Sequence, residues 1–189
     1  MVGMKSPIIL HQFFSNEEIG RIVALQSDGT FENGEVMTSR QSNLNTQVRV
    51  VRTLALNPDN YPWLTRPIYD AVVTYNDGWH DITHVSQMNL LKYDFGGKYN
   101  WHADVNWDMV EAPQRKYTVV VQLSDRSEYE GGELQLRGHS PQAMQPKGTM
   151  IIFPSNLNHR VTPVTSGRRW SLITWINGPY VPRRHEVWQ

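Results

Sequence analysis

A histidine and an aspartate separated by one residue, His102 and Asp104, stand within the stretch YDFGGKYNWHADVNWD, residues 93–108. On an extended strand, side chains two residues apart project to the same face, so these two groups could hold one metal ion. The pair alone is weak evidence, because His-x-Asp also occurs by chance. A metal site therefore requires a third ligand from elsewhere in the chain.

The third candidate ligand is His159, which follows the strand-like run GTMIIFPSNLN and opens the next strand pair. Two imidazoles and one carboxylate are the ligand set of non-haem Fe(II) oxygenases, and they leave metal positions open. A structural zinc site is more often closed by protein ligands alone. The other histidines are interpreted as surface or structural residues, namely His11, His80, His84, His139 and His185.

An arginine downstream could anchor a ligand of that metal. A 2-oxo acid that chelates the metal needs a cation for its far carboxylate, and Arg169, ten residues after His159, suits this role. Arg168 is the competitor. Strand alternation puts the two arginines on opposite faces, with Trp175 on the face of Arg169. Periodicity alone does not decide which face lines a cavity, since both carry apolar groups.

The composition narrows the class of protein. The chain has 189 residues, no cysteine, and 18 basic and 18 acidic residues. The lack of cysteine excludes disulfides and thiolate sites, and the balanced charge argues against nucleic acid or anionic membrane as a partner. No apolar run approaches the roughly 20 residues of a membrane span, and the N-terminus is a poor signal peptide. We expect a soluble cytoplasmic protein without a membrane segment.

The secondary-structure elements that must position these residues differ between the first part of the chain and the second. SNEEIGRIVAL predicts a helix capped by Ser15, with Glu18 completing a capping box. QVRVVRTLAL predicts a strand. PWLTRPIYDAVVTYND predicts a second helix, which Pro67 could bend or shift. The paired glycines of EGGEL, Gly131 and Gly132, indicate a turn or bulge.

From residue 83 onward, short β-rich runs alternate with turn residues, which is typical of an antiparallel sandwich or barrel. The expected fold is mainly β with flanking helices, a double-stranded β-helix or jelly roll. We expect a single domain over 1–189, with helical support over about 1–80 and the β-helix core over about 83–178.

Four sequence blocks, in this order, resemble the prolyl-4-hydroxylase-like branch of the Fe(II)/2-oxoglutarate-dependent dioxygenases, close to bacterial and phage PKHD-type hydroxylases. The blocks are Y-x-x-G-x-x-Y-x-x-H-x-D at 93–104, YEGGELQL at 129–136, GTMIIFPS at 148–155 and HRVTPVTSGRRWSLITW at 159–175. The resemblance is close over about 88–175 and looser over the first 80 residues.

The resemblance implies a role for each matching residue. Iron would be held by His102, Asp104 and His159, and the distal carboxylate of 2-oxoglutarate by Arg169, which favours the Arg169 face of the strand. Tyr93 would line the cosubstrate pocket, with a packed strand tyrosine as the alternative. Gln122 would neighbour the cosubstrate, and Trp175 would lie near the active-site wall or simply pack in the core.

The implied activity is hydroxylation with Fe(II), 2-oxoglutarate and O2, coupled to release of succinate, with ascorbate as a further candidate cofactor. The favoured substrate is a peptide or protein proline; the alternatives are a small molecule or nucleobase, or a metal-binding protein without catalysis. Trp107 is a candidate substrate contact. The polar stretch 33–47 could be a substrate lid or an ordinary solvated loop. Nothing in the sequence predicts the oligomeric state.

Overall fold

The computed structural model describes residues 5–37, 42–105, 113–141 and 144–181. The helices are α1 (Asn16–Ala24) and α2 (Pro62–Asn76), with short 3₁₀ turns at Leu25–Ser27, Pro58–Asn60 and Arg126–Glu128. The strands before residue 83 are β1 (Ile8–Leu10), β2 (Glu32–Asn33), β3 (Val36–Met37), β4 (Ser42–Asn43), β5 (Arg49–Val50) and β6 (Arg52–Leu56). The later strands are β7 (His84–Val85), β8 (Met88–Tyr93), β9 (Lys98–His102), β10 (Gln114–Gln122), β11 (Tyr129–Gly131), β12 (Leu134–Leu136), β13 (Met150–Pro154), β14 (His159–Val161), β15 (Val164–Gly167) and β16 (Arg169–Gly178).

Two antiparallel sheets make up most of the fold. The large sheet has the order β1-β13-β10-β16-β8-β6-β2, with β7 also paired to β16, and the small sheet has the order β12-β14-β9-β5. Apolar side chains from both sheets meet in one buried cluster that includes Val120, Phe153, Leu136 and Val161. The cluster shows that the two sheets face each other, and the predicted mainly β class with flanking helices is confirmed.

The helices cover the other face of the large sheet. Ser15 accepts a hydrogen bond from the Glu18 backbone and Glu18 accepts one from the Ser15 backbone, so the predicted capping box is present. Helix α2 continues through Pro67, which neither shifts its start nor ends it. Apolar residues of both helices pack against β6, β8, β10 and β16 in a second core. No helix among the described residues is long and apolar enough to cross a membrane.

The predicted strand QVRVVRTLAL is in fact divided between the two sheets. Strand β5 pairs with β9 in the small sheet, whereas β6 pairs with β8 in the large sheet. The chain crosses between the sheets at Val51, which is buried. The alternating pattern continues across the crossing, so periodicity could not reveal it. Strands β1, β2 and β6 also show that the segment before residue 80, predicted as helical support, contributes to the large sheet.

The paired glycines form the predicted irregularity next to Arg169. Gly131 and Gly132 have φ of 67° and 57°, and the β11–β15 register shifts between Glu130 and Gly131. A Cβ at Gly131 would lie 2.1 Å from the carbonyl oxygen of Pro163. A Cβ at Gly132 would lie 3.1 Å from Cδ of Arg169. Both glycines therefore allow a backbone approach that a side chain would block.

Candidate active site

Three separate chain segments bring the predicted metal ligands together. His102 ends β9 and His159 begins β14, and the two residues pair across these strands. Asp104 follows β9, where its backbone N–H donates to the carbonyl oxygen of Ser155 at 2.8 Å. The ligand atoms of His102, Asp104 and His159 all lie within 4.8 Å of one another. This separation is small enough for one ion to contact all of them.

Both imidazoles are oriented by backbone hydrogen bonds. Nδ1 of His102 lies 2.8 Å from the Asn100 carbonyl oxygen, and Nδ1 of His159 lies 3.0 Å from that of Leu157. A carbonyl oxygen only accepts, so each Nδ1 carries the proton and each Nε2 keeps its lone pair free. The Nε2 atoms lie 3.5 Å from Asp104 Oδ1 and Oδ2 respectively. Such outer hydrogen bonds are the usual way in which metal-binding imidazoles are fixed.

The carboxylate is held by a hydroxyl pair. Thr118 donates its Oγ1 hydrogen to Asp104 Oδ2 at 2.6 Å, and Ser155 Oγ lies 3.0 Å from Thr118 Oγ1. Both hydroxyl residues are buried; Thr118 lies on β10 and Ser155 directly follows β13. Because Thr118 stands on β10, the large sheet orients a ligand that the loop after β9 supplies.

The protonation states suit metal binding. Burial alone would raise the pKa of Asp104, but His159, His102 and the Thr118 hydroxyl outweigh burial and hold it well below the ordinary value. Burial lowers the pKa of His159, an effect that the neighbouring Asp104 charge partly offsets. An ionised carboxylate and a neutral imidazole are the forms that ligate a metal.

Arg169 is a buried cation that lines the same cavity. Its side chain is 1% exposed, and Nη2 donates to Gln122 Oε1 at 2.8 Å while Nη1 donates to Ser171 Oγ at 3.3 Å. Nε has no hydrogen-bond partner. No carboxylate among the described residues forms an ion pair with it. A buried guanidinium without a counter-ion is costly, so an anionic ligand would complete this site.

Of the residues around Arg169, some line the cavity wall and others hold the Arg169 side chain in place. Tyr93 pairs with Arg169 across β8 and β16 and lines the cavity, with its ring 5.2 Å from the guanidinium carbon. Burial raises the pKa of Tyr93, partly offset by Arg169, so its phenol stays neutral. Gln122 accepts a hydrogen bond from Arg169 and is not part of the cavity lining of the described residues; its predicted place beside the cosubstrate stays a prediction. Its amide positions Arg169.

Arg168 points to the opposite side of β16. It forms an exposed ion pair with Asp94 and does not line the cavity. Residues on the Arg169 face do line it, namely Arg169, Ser171, Ile173, Trp175 and Asn177. The strand alternation is therefore as predicted, and the resemblance had favoured the face that forms the cavity wall.

The cavity has a volume of about 850 Å³ and reaches from Arg169 past the His–Asp–His cluster to Asn177. Trp175 lies in its wall, whereas Trp107 falls outside the described residues. The stretch 33–47 is described only in part, and within it Asn33 and Glu35 line the cavity. The cavity is larger than a small keto acid requires, which leaves room for a second molecule.

Sequence reasoning missed several residues that line the cavity or support its metal ligands. Thr118 could have been found, because it alternates with Val120 and Gln122 along β10. Tyr99 stacks on His102, with ring centroids 3.5 Å apart and an interplanar angle of 17°. Arg49 also lies over the Tyr99 ring, with its guanidinium carbon 4.8 Å from the ring centroid. No sequence pattern predicts this stack, because Arg49 lies on β5 whereas Tyr99 and His102 lie on β9.

Arg115 was also missed, and a β-bulge is the reason. Simple alternation would put Arg115 on the face of Tyr117, which packs in the helix-side core. The β10–β16 register shifts between these two residues, and Arg115 lines the cavity instead. An inserted residue reverses the face of everything beyond it, and the sequence carries no signal for it here.

Buried polar atoms without partners mark the cavity wall. Among the described residues, each side-chain atom of this kind belongs to a residue that lines the cavity: Arg49 Nε, Ser86 Oγ, Arg169 Nε, Trp175 Nε1 and Asn177 Oδ1. Buried polar groups are normally satisfied, so a bound ligand or ordered water would satisfy these atoms in the cavity. The donors around Arg169 fit the carboxylate of a keto acid, and the His–Asp–His cluster fits an oxygenase iron.

Comparison with known proteins agrees with this donor set. The family model described as the 2OG-Fe(II) oxygenase superfamily matches residues 88–177. The match covers a little less than half of the chain. The predicted resemblance is thereby confirmed, and Fe(II), 2-oxoglutarate and O2 are the metal and cosubstrates that this superfamily implies. The matched range contains the His–Asp–His cluster and Arg169.

One relative is a PKHD-type hydroxylase of Synechococcus sp. strain CC9902, 35% identical over 97 residues. The match covers 50% of this chain and 43% of the relative, so the chain spans less than half of that protein. Ascorbate, a further predicted cofactor, stays a prediction.

Two solved structures resemble the whole fold. A Pseudomonas putida prolyl-4-hydroxylase has a TM-score of 0.69 and 16% identity, covering 92% of this chain and 93% of its own. A Trichoplax adhaerens prolyl hydroxylase, in complex with a peptide of the hypoxia inducible factor oxygen degradation domain, has a TM-score of 0.72 and 18% identity, covering 92% and 84%. At this identity the likeness concerns the fold, and the predicted jelly roll is confirmed.

Proposed function

We propose that the protein is an Fe(II)- and 2-oxoglutarate-dependent hydroxylase, and that a single domain over 1–189 carries the activity. The observation that carries the proposal is the buried Arg169, which pairs with no carboxylate of the described residues and lies in the same cavity as the His102, Asp104 and His159 cluster. A metal site alone would not need this cation. A dicarboxylate that chelates the metal at one end and meets Arg169 at the other uses both.

The chain's own residues would bind and orient the reactants. His102 and His159 present Nε2, and Asp104 presents a carboxylate that Thr118 holds in place. When bound, Fe(II), 2-oxoglutarate and O2 supply an oxidant that hydroxylates a C–H bond while the keto acid becomes succinate and CO2. Arg169 would take the distal carboxylate through its free Nε and the edge of its guanidinium.

The cavity walls would keep water away from the bound cosubstrate. Tyr93 and Leu91 form the wall beside Arg169, and both are buried. A low-dielectric wall strengthens the contact between the guanidinium and the carboxylate and keeps water from the reacting centre. Gln122 and Ser171 hold the guanidinium plane in one orientation, which lowers the entropy lost on binding.

We propose a peptide or protein proline as the substrate. The support is the similarity to PKHD-type hydroxylases and to prolyl hydroxylases, one of which is solved with a peptide. The cavity space beyond the metal cluster, next to Trp175, would accept the target residue. Hydroxylation of a small molecule or nucleobase uses the same residues and is an outcome of the test below.

The test is succinate release with Fe(II), 2-oxoglutarate and one of three substrate groups: proline-containing peptides, free proline or methylated oligonucleotides. Stimulation by the peptides supports the proposal, and stimulation by another group moves the substrate to that class. His102→Ala and Asp104→Ala should abolish turnover. The matched control is His139→Ala, an exposed histidine outside the cluster, which should leave turnover unchanged. Wild-type turnover in either ligand variant would refute the assignment.

A further inference from the structure

The two histidines of the metal cluster are held by different parts of the fold. Nδ1 of His159 lies 3.0 Å from the Leu157 carbonyl oxygen, and the fully buried ring of Phe153 packs edge-on against the His159 imidazole at 4.9 Å. The His159 side chain is 4% exposed, whereas that of His102 is 15% exposed. The contacts that hold His102 come instead from β9 and from β5, the edge strand of the small sheet.

The first of these contacts runs through Asn100. The Asn100 carbonyl oxygen accepts a hydrogen bond from His102 Nδ1 at 2.8 Å. The Asn100 backbone N–H donates to the Val48 oxygen at 2.8 Å, and its side-chain amide donates to the Gln47 oxygen at 3.0 Å. The carbonyl that sets the His102 ring orientation is thus fixed by the two residues that precede β5.

The second contact lies on the face of the His102 ring. Tyr99 stacks on this ring with centroids 3.5 Å apart, and the guanidinium carbon of Arg49 lies 4.8 Å from the Tyr99 centroid. Arg49 and Tyr99 pair across β5 and β9, so the strand register brings them together. An arginine over an aromatic ring is attracted by the ring face, so the position of Arg49 bears on the position of the stack.

Arg49 also holds the rim of the cavity. Asn33, Gly34 and Glu35 form a rim segment, of which Asn33 and Glu35 line the cavity. Arg49 Nη1 donates to the Glu35 backbone oxygen at 2.6 Å, and the Gly34 N–H donates to the Val51 oxygen at 2.8 Å. A Cβ at Gly34 would lie 2.8 Å from Arg49 Nε. Glycine therefore allows the rim segment to lie directly against the Arg49 side chain.

We propose that Arg49 is a positioning residue that couples the rim segment to the metal ligand His102, so that metal binding and the placement of the rim stabilise each other. Asn100 supports the same joint, because it bonds the residues directly before Arg49. Such coupling is reciprocal: the factor that the rim segment adds to metal affinity is the factor that the metal adds to the stability of the rim segment. The inference rests on the proposed function in that His102 binds the metal.

Metal affinity tests one direction of the coupling. Arg49→Met keeps an unbranched side chain but removes the guanidinium, and we expect Mn(II) affinity to fall by about tenfold, as when other outer contacts of a metal ligand are lost. Arg49→Lys, which keeps a cation near the Tyr99 ring, should restore part of the affinity.

The matched control is Arg160→Met. Arg160 is the neighbour of His159 in the chain, lies over the Trp101 ring at 4.8 Å and donates to Gln135 at 2.8 Å. Arg160 therefore resembles Arg49 in its contacts, but it does not line the cavity. Arg160→Met should leave the Mn(II) affinity unchanged. A fall equal to that of Arg49→Met would show a general loss of stability and would contradict the coupling.

Hydrogen exchange tests the other direction. Saturating Mn(II) should slow exchange of the Gly34 amide, measured by mass spectrometry, by about tenfold in wild type, and this slowing should disappear in Arg49→Met. If the role of Arg49 were merely structural, Arg49→Met would speed exchange at Gly34 equally with and without the metal. The metal-dependent slowing would then persist, and the coupling would be refuted.

Each failure has its own signature. A wild-type protein that binds no Mn(II) would remove the proposed function, whereas equal Mn(II) affinity in wild type and Arg49→Met would overturn only the coupling. If Arg49→Met does not fold, Asn100→Ala takes its place. This variant keeps the carbonyl that faces His102 and loses the side-chain bond to the Gln47 oxygen. Its Mn(II) affinity should fall by at least about threefold, and wild-type affinity would contradict the proposal.

Discussion

His102 and His159 lie opposite each other across β9 and β14, with ring centroids 4.2 Å apart, and each holds its Nδ1 against the carbonyl of the residue two positions earlier. The strand pairing sets their separation and the carbonyls set the ring orientation. Both Nε2 atoms therefore point at Asp104. The site is preorganised by backbone, so changes in its immediate support should alter metal affinity with little effect on the fold.

Thr118→Val should weaken metal binding. Valine matches threonine in shape but cannot donate to Asp104 Oδ2, so the carboxylate loses its 2.6 Å hydrogen bond. Loss of such support typically costs about 10–100-fold in metal affinity. The affinity for Mn(II) can be measured by titration. Thr118→Ser, which keeps the hydroxyl, should bind nearly as wild type, and equal affinities for all three proteins would contradict the role of Thr118.

Arg169→Ala should mainly raise the 2-oxoglutarate concentration that turnover needs, because it removes a binding contact rather than a metal ligand. Loss of a charge-assisted contact of about 1.5–3 kcal/mol corresponds to an increase of roughly 10–100-fold. The measurement is KM for 2-oxoglutarate, with metal affinity as a separate readout. Arg168→Ala is the control. An increase in KM for Arg168→Ala alone would mean that the other strand face binds the cosubstrate.

Gln122→Glu should block the cosubstrate. Glutamate has the shape of glutamine, and its carboxylate would lie beside Arg169 Nη2, where Gln122 Oε1 now accepts at 2.8 Å. It would neutralise the guanidinium and repel an incoming carboxylate, so 2-oxoglutarate affinity should fall by at least about tenfold. Calorimetric titration of the Mn(II)-loaded protein measures this. An affinity equal to that of wild type would show that Arg169 does not receive the cosubstrate carboxylate.

The metal-free protein should lose stability as the pH falls below about 6.5. Burial lowers the pKa of His159 and of His80 from 6.5, so below that pH the unfolded chain binds more protons than the folded one. Asp104, whose pKa is also lowered from 3.8, adds a further loss at lower pH. Urea unfolding at about pH 7.5 and about pH 5.5 measures the difference.

The contribution of His159 to this pH-dependent loss of stability can be separated from the contribution of His80. His159→Gln removes one titrating imidazole, so the fall in unfolding free energy between the two pH values should be smaller than in wild type. An equal fall in both proteins would show that His159 is not held neutral by burial.

Alternation on strands made much of the site predictable. The rule that places Arg169 and Trp175 on one face needs only an extended backbone, whereas Asp104 lies in a bend just beyond the end of β9. It failed at Arg115, where a bulge reverses the face, and at Val51, where the chain changes sheets without interrupting its pattern. Both are properties of the paired strand, which a single chain segment does not encode.

The residue types in the sequence indicated which residues lie near the site better than they indicated what each residue does there. Gln122 was expected near the cosubstrate; it accepts a hydrogen bond from Arg169 and does not line the cavity of the described residues. In the sequence, Thr118 is one more β-branched residue of a buried strand, although its hydroxyl donates a hydrogen bond to Asp104. Contacts of this kind depend on which strands become neighbours. The family resemblance, and not the local propensity of each segment, predicted which strands are neighbours.

The most direct test is a crystal structure with Mn(II), an inert substitute for Fe(II), and 2-oxoglutarate. We predict one ion bonded to Nε2 of His102, Nε2 of His159 and a carboxylate oxygen of Asp104, with the distal carboxylate of 2-oxoglutarate on Arg169. A metal bound elsewhere, or a keto acid whose distal carboxylate lies away from Arg169, would contradict the account.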